Sequence, residues 1–475
     1  MLNRAERLSA PAAARTTPAP TPANDLQAAD DDAFFAEWRG RELSRIERAG
    51  LAYLDYTGAA LYPESVVRQD ADRLSHRVLG NPHSEHGPSR SASADLEEAR
   101  AAVLELLHAP PDEYVAVVTA NATAAARLVA ESFPFGEHGT LALTADNHNS
   151  VNGIREHARA AGTALRIIEL DDELRLRDPL ASLARRSPGP SLFAFPAQSN
   201  FSGVRHPLAL VHEAQERGWR VLVDAASYLG TGDLDLSQVP ADFVMLSMYK
   251  IAGHPAGVGA LVARREALAE LRRPWFSGGT VEWVSVQHGR HRLSAGEAGF
   301  EDGTVPFLAL GAVKPALRFV CDAGRDRLAR HSARLTAQLL DSLRDLRHPN
   351  GRHIVRIHGP RNLVDRGATI AFTVEDSAGC VIPYWTVEAD AREAGIAVRG
   401  GCFCNPGCAE SAFELEDRET LRCLESLGDS FTIPRFADCL GGRAVGAIRA
   451  SVGLGSVRED VERLVRLVER YAEGY

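Results

Sequence analysis

The stretch Phe243-Val-Met-Leu-Ser-Met-Tyr-Lys250 decides the fold, because it reads as a buried strand that ends in a lysine. Glycines follow at positions 253, 257 and 259, which lets a ligand approach the backbone closely there. A lysine at the mouth of a sheet is suited to forming a Schiff base with a carbonyl cofactor. Lysine occurs only at positions 250 and 314 of the 475 residues. An isolated strand-end lysine is more often solvated or salt-bridged, so the role of Lys250 has to be inferred from the residues around it.

Six further short apolar runs surround this strand, and helix-like stretches such as 123–132 and 151–161 separate most of them. The predicted strands are 114–119, 140–144, 165–170, 191–195, 220–223 and 258–263. Strands that alternate with helices require crossover connections, which build a mostly parallel sheet covered on both faces. The sequence therefore predicts a large α/β domain with a seven-stranded sheet.

The pattern changes on both sides of this region. Residues 1–32 are rich in Ala, Pro, Thr and Asp and predict a disordered tail, whereas apolar spacing predicts a helix over 32–49. Beyond Lys314 the sequence predicts a helix over 318–347, a strand over 368–374, a cysteine-rich loop and a helix over 459–471. We expect a large domain over 33–312, which includes the N-terminal helix, and a smaller α+β domain over 313–475.

The composition is that of an ordinary globular protein, with 45% hydrophobic residues and a net charge of −10 from 53 basic and 63 acidic residues. An acidic chain argues against nonspecific binding to nucleic acid or to an anionic membrane. No apolar stretch is long enough for a membrane span, and the N-terminus lacks the apolar core of a secretory signal. Four of the seven cysteines fall between 402 and 423, which favours reduced thiols over disulfides and a cytoplasmic location.

Polar residues stand directly after several strands, at the sheet edge where α/β proteins bind ligands. Asp224 ends a strand 26 residues before Lys250 and could keep a pyridine nitrogen protonated. The turn 119–123 joins a strand to a helix and forms a natural phosphate cradle. His148 and Asn200 follow two other strands and could contact the ring of the same ligand. Alone, each could be a cap or turn residue; together they predict a pyridoxal phosphate site.

The chain resembles a known family in nine segments, which span about Tyr53 to Gly453: "YLDYTGAALYP", "GNPHSEHGPSR", "NHNSVNGIREHA", "PAQSNFSGVRHPL", "LVDAASYLGTGDLDLS", "ADFVMLSMYKIAGHPAGVGAL", "FEDGTVPFLALGAV", "VRGGCFCNPG" and "GAIRASVG". In these it resembles the class V aminotransferases, which are pyridoxal-phosphate enzymes of fold type I. Within that group it is similar to the cysteine desulfurases, and most of all to the N-terminal domain of molybdenum cofactor sulfurases.

The resemblance implies a role for each matching residue. Lys250 would form the Schiff base with the cofactor, Asp224 would pair with the ring nitrogen, and His148 would stack on the ring. The other residues implied to bind the cofactor are Ala122, Thr123, Asn200, Ser227 and Ser247. Thr304 would reach the phosphate of a partner subunit, which implies a homodimer with shared active sites. Arg449, with Arg399 nearby, would bind the carboxylate of a small amino-acid substrate.

Cys404 aligns with the nucleophile of the desulfurases, five residues after Arg399. Its thiolate would attack the sulfur of cysteine and leave alanine and an enzyme persulfide, from a mobile loop and helped by the Arg399 cation. Two other interpretations stay open. Cys402, Cys404 and Cys408 could bind a metal, although their spacing lacks the usual Cys-x2-Cys pair, or they could be inert or resolving thiols.

The chain also departs from the desulfurase pattern at Tyr249, often a histidine, and at Ser227, often a glutamine. Molybdenum cofactor sulfurases usually continue into a further domain, so we expect the sulfur acceptor to be a separate protein or cofactor. The leading function is a cysteine desulfurase or sulfurtransferase. The alternatives are another class V activity, such as a C–S lyase, an aminotransferase or an epimerase, and a cofactor-free scaffold or carrier.

Overall fold

The computed structural model describes residues 22–184, 188–415 and 417–473. In these ranges the α-helices are α1 Pro22–Glu42, α2 Ser44–Arg48, α3 Glu64–His76, α4 Gly87–Leu106, α5 Ala122–Ser132, α6 Asn149–Asn152, α7 Ile154–Ala160, α8 Pro179–Leu183, α9 Leu210–Glu216, α10 Met248–Ile251, α11 Arg265–Glu270, α12 Phe307–Leu310, α13 Val313–Asp322, α14 Arg325–Asp345, α15 Tyr384–Glu393, α16 Pro406–Phe413, α17 Arg418–Leu427, α18 Ile433–Cys439 and α19 Arg458–Glu469. Short 3-10 helices cover Gly296–Phe300, Gly428–Ser430 and Arg470–Glu473.

The strands of the described residues are β1 Ala52–Tyr53, β2 Tyr114–Thr119, β3 Thr140–Thr144, β4 Ala164–Ile168, β5 Ser191–Pro196, β6 Arg220–Asp224, β7 Phe243–Ser247, β8 Gly259–Arg264, β9 Val281–Ser285, β10 Arg290–Leu293, β11 Val355–His358, β12 Thr369–Glu375, β13 Val381–Ile382, β14 Ile396–Ala397, β15 Arg399–Gly401 and β16 Ala447–Ser451. Their bounds confirm the seven strands predicted between 114 and 264 to within two residues.

The large sheet has the strand order β2-β8-β7-β6-β5-β3-β4. Strands β7, β6, β5, β3 and β4 are parallel to one another, whereas β8 is antiparallel to both β2 and β7. Separate apolar clusters cover the two faces, because the central strands are apolar along most of their length. The predicted α/β fold with a mostly parallel seven-stranded sheet, the fold type I architecture, is confirmed.

A second sheet follows in the chain, with the antiparallel order β11-β12-β16-β15 and β13 beside β12. Helices α14, α15 and α19 contribute to the apolar core beneath it. We propose a domain boundary near residue 312. The N-terminal segment differs from its predicted place, because β1 pairs with β14 and Leu54 is buried in the core of the second sheet.

The N-terminal helix also begins earlier than predicted. Helix α1 starts at Pro22, so residues 22–32 belong to a helix and not to the expected tail. The carboxylates of Asp31 and Asp32 form ion pairs with Arg330 and Arg334 of α14, a tertiary contact that the apolar spacing does not reveal. The rest of the predicted tail, residues 1–21, lies outside the described residues.

The prediction that the cysteines are reduced thiols is wrong for one pair, because Cys423 and Cys439 form a disulfide. Cys423 belongs to α17 and Cys439 ends α18, and the fold of these helices brings the two Cα atoms to 6.0 Å. A separation of 16 residues in the chain does not signal this proximity. The other five cysteines are free thiols. No helix in the described part of the chain is long and apolar enough to cross a membrane.

Candidate active site

Lys250 and Asp224 lie at the ends of neighbouring parallel strands. Strand β6 ends at Asp224, and β7 leads directly into α10, which carries Lys250. Burial lowers the pKa of Lys250 and raises the pKa of Asp224, and the attraction between the two groups opposes both shifts. Asp224 Oδ1 accepts a hydrogen bond of 2.9 Å from Ala226 N. No other hydrogen bond to this carboxylate is found among the described residues, so Oδ2 remains able to accept a donor from a ligand.

The turn that is predicted to hold a phosphate lies where α5 begins. The Ala122 N–H donates to Ser247 Oγ over 2.8 Å, and Asn121 caps the helix by accepting from Ala124 N. Strand β8 starts against this turn, where a Cβ on Gly259 would lie 2.6 Å from the Cα of Asn121. Glycine therefore permits the close approach that holds the cradle against the sheet.

His148 is half-buried and caps the short helix α6. Its Nδ1 accepts a hydrogen bond of 3.1 Å from Ser150 N and lies 2.9 Å from Ser150 Oγ. Burial, together with the positive charges of Lys250 and Arg449, lowers the pKa of His148 to about 4. The imidazole is therefore neutral at pH 7, and its remaining proton is on Nε2 because Nδ1 accepts the Ser150 N–H.

Ser150 is a residue that the sequence analysis did not single out. Its hydroxyl lies 2.7 Å from the hydroxyl of Thr123, in addition to its contact with His148. Ser150 thus links Thr123, in the predicted phosphate cradle, to His148, which is predicted to stack on the ring. Its place two residues after His148, in a polar run that follows β3, is the signal that could have found it.

Asn200 connects the large sheet to the segment that carries Cys404. Its Nδ2 donates to the carbonyl of Phe403 over 2.7 Å, and its Oδ1 accepts from Asn405 Nδ2 over 2.9 Å. The predicted contact with a ring hydroxyl remains a prediction, because one Nδ2 proton is still available for it. The structure adds a second role, which is to hold the Cys404 segment.

Cys404 is exposed in a turn of unusual backbone geometry. Phe403 and Cys404 have φ angles of +57° and +56°, in the left-handed region that residues with a Cβ rarely adopt. The buried Phe403 ring packs 5.2 Å from the ring of Phe201, and the Cys404 carbonyl accepts from Asn149 N. Contacts on both sides of Cys404 therefore hold this conformation and leave the thiol outside. Mobility of this segment stays a prediction.

The other two cysteines of the segment have different surroundings. Cys402 is partly buried, and Cys408 is fully buried, which raises the pKa of the Cys408 thiol well above its usual range. Across residues 22–184, 188–415 and 417–473, no group of three or more His, Cys, Asp or Glu side chains is placed to hold a metal ion.

The two predicted arginines share one carboxylate. Arg399 and Arg449 both bind Asp55, with nitrogen–oxygen distances of 2.7 and 2.9 Å. Arg449 is only 2% exposed and also donates from Nη1 to the carbonyl of Asn200, whereas the Arg399 side chain is half-exposed. Lys250 lies within electrostatic range of Asp224, of both arginines and of Cys404. The structure thus brings these predicted residues into one site.

Ser227 and Thr304 are placed less directly. Ser227 lines a cavity beside Lys250, and its carbonyl accepts from Gln198 Nε2. Thr304 is exposed, and its hydroxyl accepts from Asn81 Nδ2 over 3.3 Å. Within the described residues no contact joins Thr304 to Lys250 or His148, so its role toward a partner subunit stays a prediction.

Comparison with known proteins adds the family. The model of the family described as aminotransferase class V matches residues 52–464. The chain belongs to this family. Its strand-end site therefore lies within the matched region, from β1 to α19.

Three curated relatives, all molybdenum cofactor sulfurases, are similar to most of this chain. The chain is 33% identical to molybdenum cofactor sulfurase of Arabidopsis thaliana over 91% of this chain and 57% of the relative. It is 36% identical to molybdenum cofactor sulfurase 2 of Culex quinquefasciatus over 90% of this chain and 57% of the relative. The human molybdenum cofactor sulfurase is 33% identical over 91% of this chain and 51% of the relative. The chain thus spans a little more than half the length of these relatives.

Solved structures agree with the fold. A cysteine desulfurase from Thermococcus onnurineus NA1, in its apo form, superposes with a TM-score of 0.75 at 25% identity, over 92% of this chain and 98% of that one. The cysteine desulfurase CsdA of Escherichia coli superposes with a TM-score of 0.71 at 23% identity, over 92% of this chain and 98% of that one. The second likeness concerns the fold alone.

Proposed function

We propose that this chain is a pyridoxal-phosphate-dependent cysteine desulfurase or sulfurtransferase. It converts L-cysteine to L-alanine, holds the sulfur as a persulfide on Cys404 and passes it to an acceptor. The observation that carries the proposal is that two groups of residues lie in one site. The buried pair Lys250 and Asp224 stands at the ends of β6 and β7, and the exposed residue Cys404 is bound to the segment after β3, where Asn149 N donates to the Cys404 carbonyl over 2.8 Å.

The residues present fit the cofactor. Among the described residues, one carboxylate oxygen of Asp224 has no hydrogen-bond donor, and this oxygen could accept from a protonated ring nitrogen. The start of α5 and Ser247 would hold the phosphate, and the neutral His148 ring would stack on the pyridine. When bound, pyridoxal phosphate supplies the electron sink that weakens bonds at the α-carbon and β-carbon of an amino acid.

The side chains of this chain then have separate tasks. Because burial lowers the pKa of Lys250, its amine is more readily neutral, so it can bind a carbonyl carbon and later move a proton at the substrate. The Cys404 thiolate attacks the substrate sulfur, so that an S–S bond forms and the C–S bond breaks. The β-carbon gains a proton, and L-cysteine plus one thiol become L-alanine plus one persulfide.

The test is to incubate the cofactor-loaded protein with L-cysteine and to quantify alanine. We expect wild type to produce alanine and Cys404→Ala to lower the rate by about a hundredfold or more, since the nucleophile is lost. Cys380→Ala is the matched control, because Cys380 is also an exposed free thiol, and we expect it to leave the rate unchanged.

Three outcomes would contradict the proposal. If cofactor-loaded wild type makes no alanine, free cysteine is not the substrate, and a thioether lyase, an aminotransferase or an epimerase becomes the better description. If Cys404→Ala makes alanine at the wild-type rate, a C–S cleavage that needs no cysteine nucleophile replaces the desulfurase. A protein that binds no pyridoxal phosphate would favour a scaffold or carrier.

The acceptor, taken to be a separate protein or cofactor, and a cytoplasmic location are parts of this proposal. The five free thiols favour a reducing location, whereas the Cys423–Cys439 disulfide favours an oxidising one. The exposed position of Cys404 supports transfer of sulfur to a second molecule, because a bound sulfur there is accessible from outside.

We also propose a homodimer. The hairpin of β9 and β10 exposes Trp283, Val284 and Val286, and Val286 is 86% exposed. The loop before Thr304 is bonded to the segment that leads into this hairpin, because Gly303 N donates to Gly278 O over 2.9 Å. An exposed apolar patch of this kind is typical of an interaction surface. Analytical ultracentrifugation tests it, and we expect wild type to sediment as a dimer and Val286→Asp to sediment more slowly.

A further inference from the structure

Asp55 is a buried carboxylate that binds both arginines of the site. Its Oδ2 accepts from Arg399 Nη2 over 2.7 Å and from Arg399 Nε over 3.1 Å. Its Oδ1 accepts from Arg449 Nη2 over 2.9 Å. Asp55 is 9% exposed, so it is largely shielded from water and its position is set by these two guanidinium groups.

The backbone places Asp55 between the strands that carry the arginines. Leu54 N donates to Ala397 O, just before β15, and Ser451 N donates to Leu54 O at the end of β16. After Asp55 the chain turns sharply, because Gly58 N donates to the Asp55 carbonyl. A Cβ at Gly58 would lie 2.4 Å from Asp55 Oδ2 and 2.6 Å from Arg399 Nη2. The turn therefore has room for the ion pair only when residue 58 is glycine.

The charges leave this cluster one unit positive, because two guanidinium groups share a single carboxylate. Burial lowers the pKa of Arg449, and the Asp55 carboxylate opposes that shift, whereas hydrogen bonds to Asp55 raise the pKa of Arg399. A guanidinium has five N–H donors. Arg449 uses one on Nη1 and one on Nη2, and its buried Nε has no partner in the described residues. The cluster can therefore accept one further carboxylate.

We propose that Asp55 is a positioning residue that holds Arg399 and Arg449 together as a receptor for the single carboxylate of the substrate. This inference rests on the proposed function in one respect, namely that the substrate is an amino acid. Asp55 itself touches neither the substrate nor the cofactor. It sets the separation of the two arginines. It also reduces their combined charge to one positive unit, which matches the charge of a single carboxylate.

The test compares wild type with Asp55→Asn in the cofactor-loaded protein. The probe is 3-mercaptopropionate, which has the thiol and carboxylate of cysteine but no amine, and calorimetry measures its dissociation constant. We expect Asp55→Asn to raise this constant about tenfold, the loss typical of a charge-assisted contact. In the alanine assay we expect KM for L-cysteine to rise by a similar factor, with kcat changed less than about threefold.

The matched control is Asp242→Asn. Asp242 is fully buried and forms an ion pair with Arg220 at the opposite end of β6, so this change tests the loss of a buried acidic charge without touching the site. We expect its dissociation constant and KM to stay at the wild-type values. A merely structural role of Asp55 would lower the amount of folded protein in both variants without a selective rise in KM.

A second variant keeps every charge and therefore covers the case in which Asp55→Asn does not fold. In Gly58→Ala the new methyl group displaces the Asp55 carboxylate, and we expect the dissociation constant for the probe to rise severalfold. Wild-type affinity in Asp55→Asn or Gly58→Ala would overturn the inference, as would failure of wild type to bind the probe. If wild type binds the probe but makes no alanine, the proposed function fails and the role of Asp55 stands.

Discussion

The candidate active site has two walls, which we call the sheet wall and the Cys404 wall. Different contacts hold the reactive groups of each wall in place. On the sheet wall, Asp224 and Lys250 follow buried parallel strands, and the sheet itself sets their positions. On the opposite wall, Cys404 stands in a strained turn that hydrogen bonds from distant segments hold, such as the bond from Asn405 to the carbonyl of Asp146. The sheet wall thus depends on secondary structure, whereas the Cys404 wall depends on a few side-chain amides.

This difference predicts how each wall fails. A substitution on the sheet wall removes a chemical group while the buried strands keep their packing. A substitution beside Cys404 disturbs the conformation of the turn, because no regular strand or helix includes residues 402–405. The effects on cofactor binding and on sulfur transfer should therefore separate between the two walls.

The largest effect should come from Lys250→Ala. This change removes the amine that we propose to bind the carbonyl cofactor and to move protons at the substrate, so we expect alanine formation to fall by about a thousandfold or more. The visible absorbance of the bound cofactor should also change, because its bond to lysine is absent. Absorbance spectra and the alanine assay on the same sample measure both effects.

The control for this change is Lys314→Ala, at the only other lysine of the chain. Lys314 is exposed and forms an ion pair of 3.4 Å with Glu98. Exposed ion pairs contribute little to stability, so we expect wild-type spectra and rates. Full activity of Lys250→Ala would refute the assignment of the cofactor lysine.

A smaller effect should follow from Asn405→Ala on the Cys404 wall. Asn405 is fully buried; its Nδ2 donates to Asp146 O and Asn200 Oδ1, and its Oδ1 accepts from Cys408 N. Its loss leaves buried acceptors unsatisfied, so we expect the free energy of unfolding to fall by about 1–3 kcal/mol. Sulfur transfer should fall by about ten- to a hundredfold with cofactor absorbance intact, because the turn loses its defined position.

The measurements are denaturant unfolding, the alanine assay and a cofactor spectrum. Asn350→Ala serves as the control, since Asn350 is an exposed loop residue that bonds only to backbone atoms of Ser377 and Arg352 among the described residues. We expect Asn350→Ala to match wild type in unfolding, alanine formation and cofactor spectrum. Loss of the cofactor spectrum in Asn405→Ala would mean that the two walls are not independent.

The sheet wall could be predicted from the sequence, because buried parallel strands are apolar along their length and ligands bind at their carboxyl ends. That rule places Lys250, Asp224 and His148 at one edge of the sheet, and the family resemblance supplies the roles predicted for them. The contacts of Asn405 and Asp55 could not be predicted, because their partners lie 259 and 394 positions away in the chain. A local pattern carries no information about such pairs.

The sequence prediction contains three errors. The pairing of Cys423 with Cys439 depends on how α17 and α18 pack, which their spacing does not encode. Residues 31 and 32, which the sequence pattern assigns to the tail, lie in α1 and form ion pairs with arginines of α14, and these partners are about 300 positions away in the chain. Helix α14 itself begins only after a break at Gly324, whose φ of +81° ends the predicted single helix 318–347.

The smallest effect, absent at neutral pH, concerns His148 on the sheet wall. Its pKa is about 4 in the folded protein, lowered mainly by burial, against 6.5 when unfolded. As the pH falls below 6.5, the unfolded chain binds a proton that the folded site resists, so stability falls until the pH passes about 4. Between pH 7 and pH 5 we expect this group to remove roughly 2 kcal/mol from the free energy of unfolding.

Urea unfolding of the cofactor-free protein at pH 7 and pH 5 measures this contribution. His148→Gln carries no titrating ring, so its loss of stability between the two pH values should be smaller than that of wild type by the same amount. The control is His157→Gln, at an exposed histidine of α7, which should show the wild-type difference. An equal pH response in wild type and His148→Gln would mean that the imidazole titrates normally, and the sheet wall would then be more open to water than its geometry indicates.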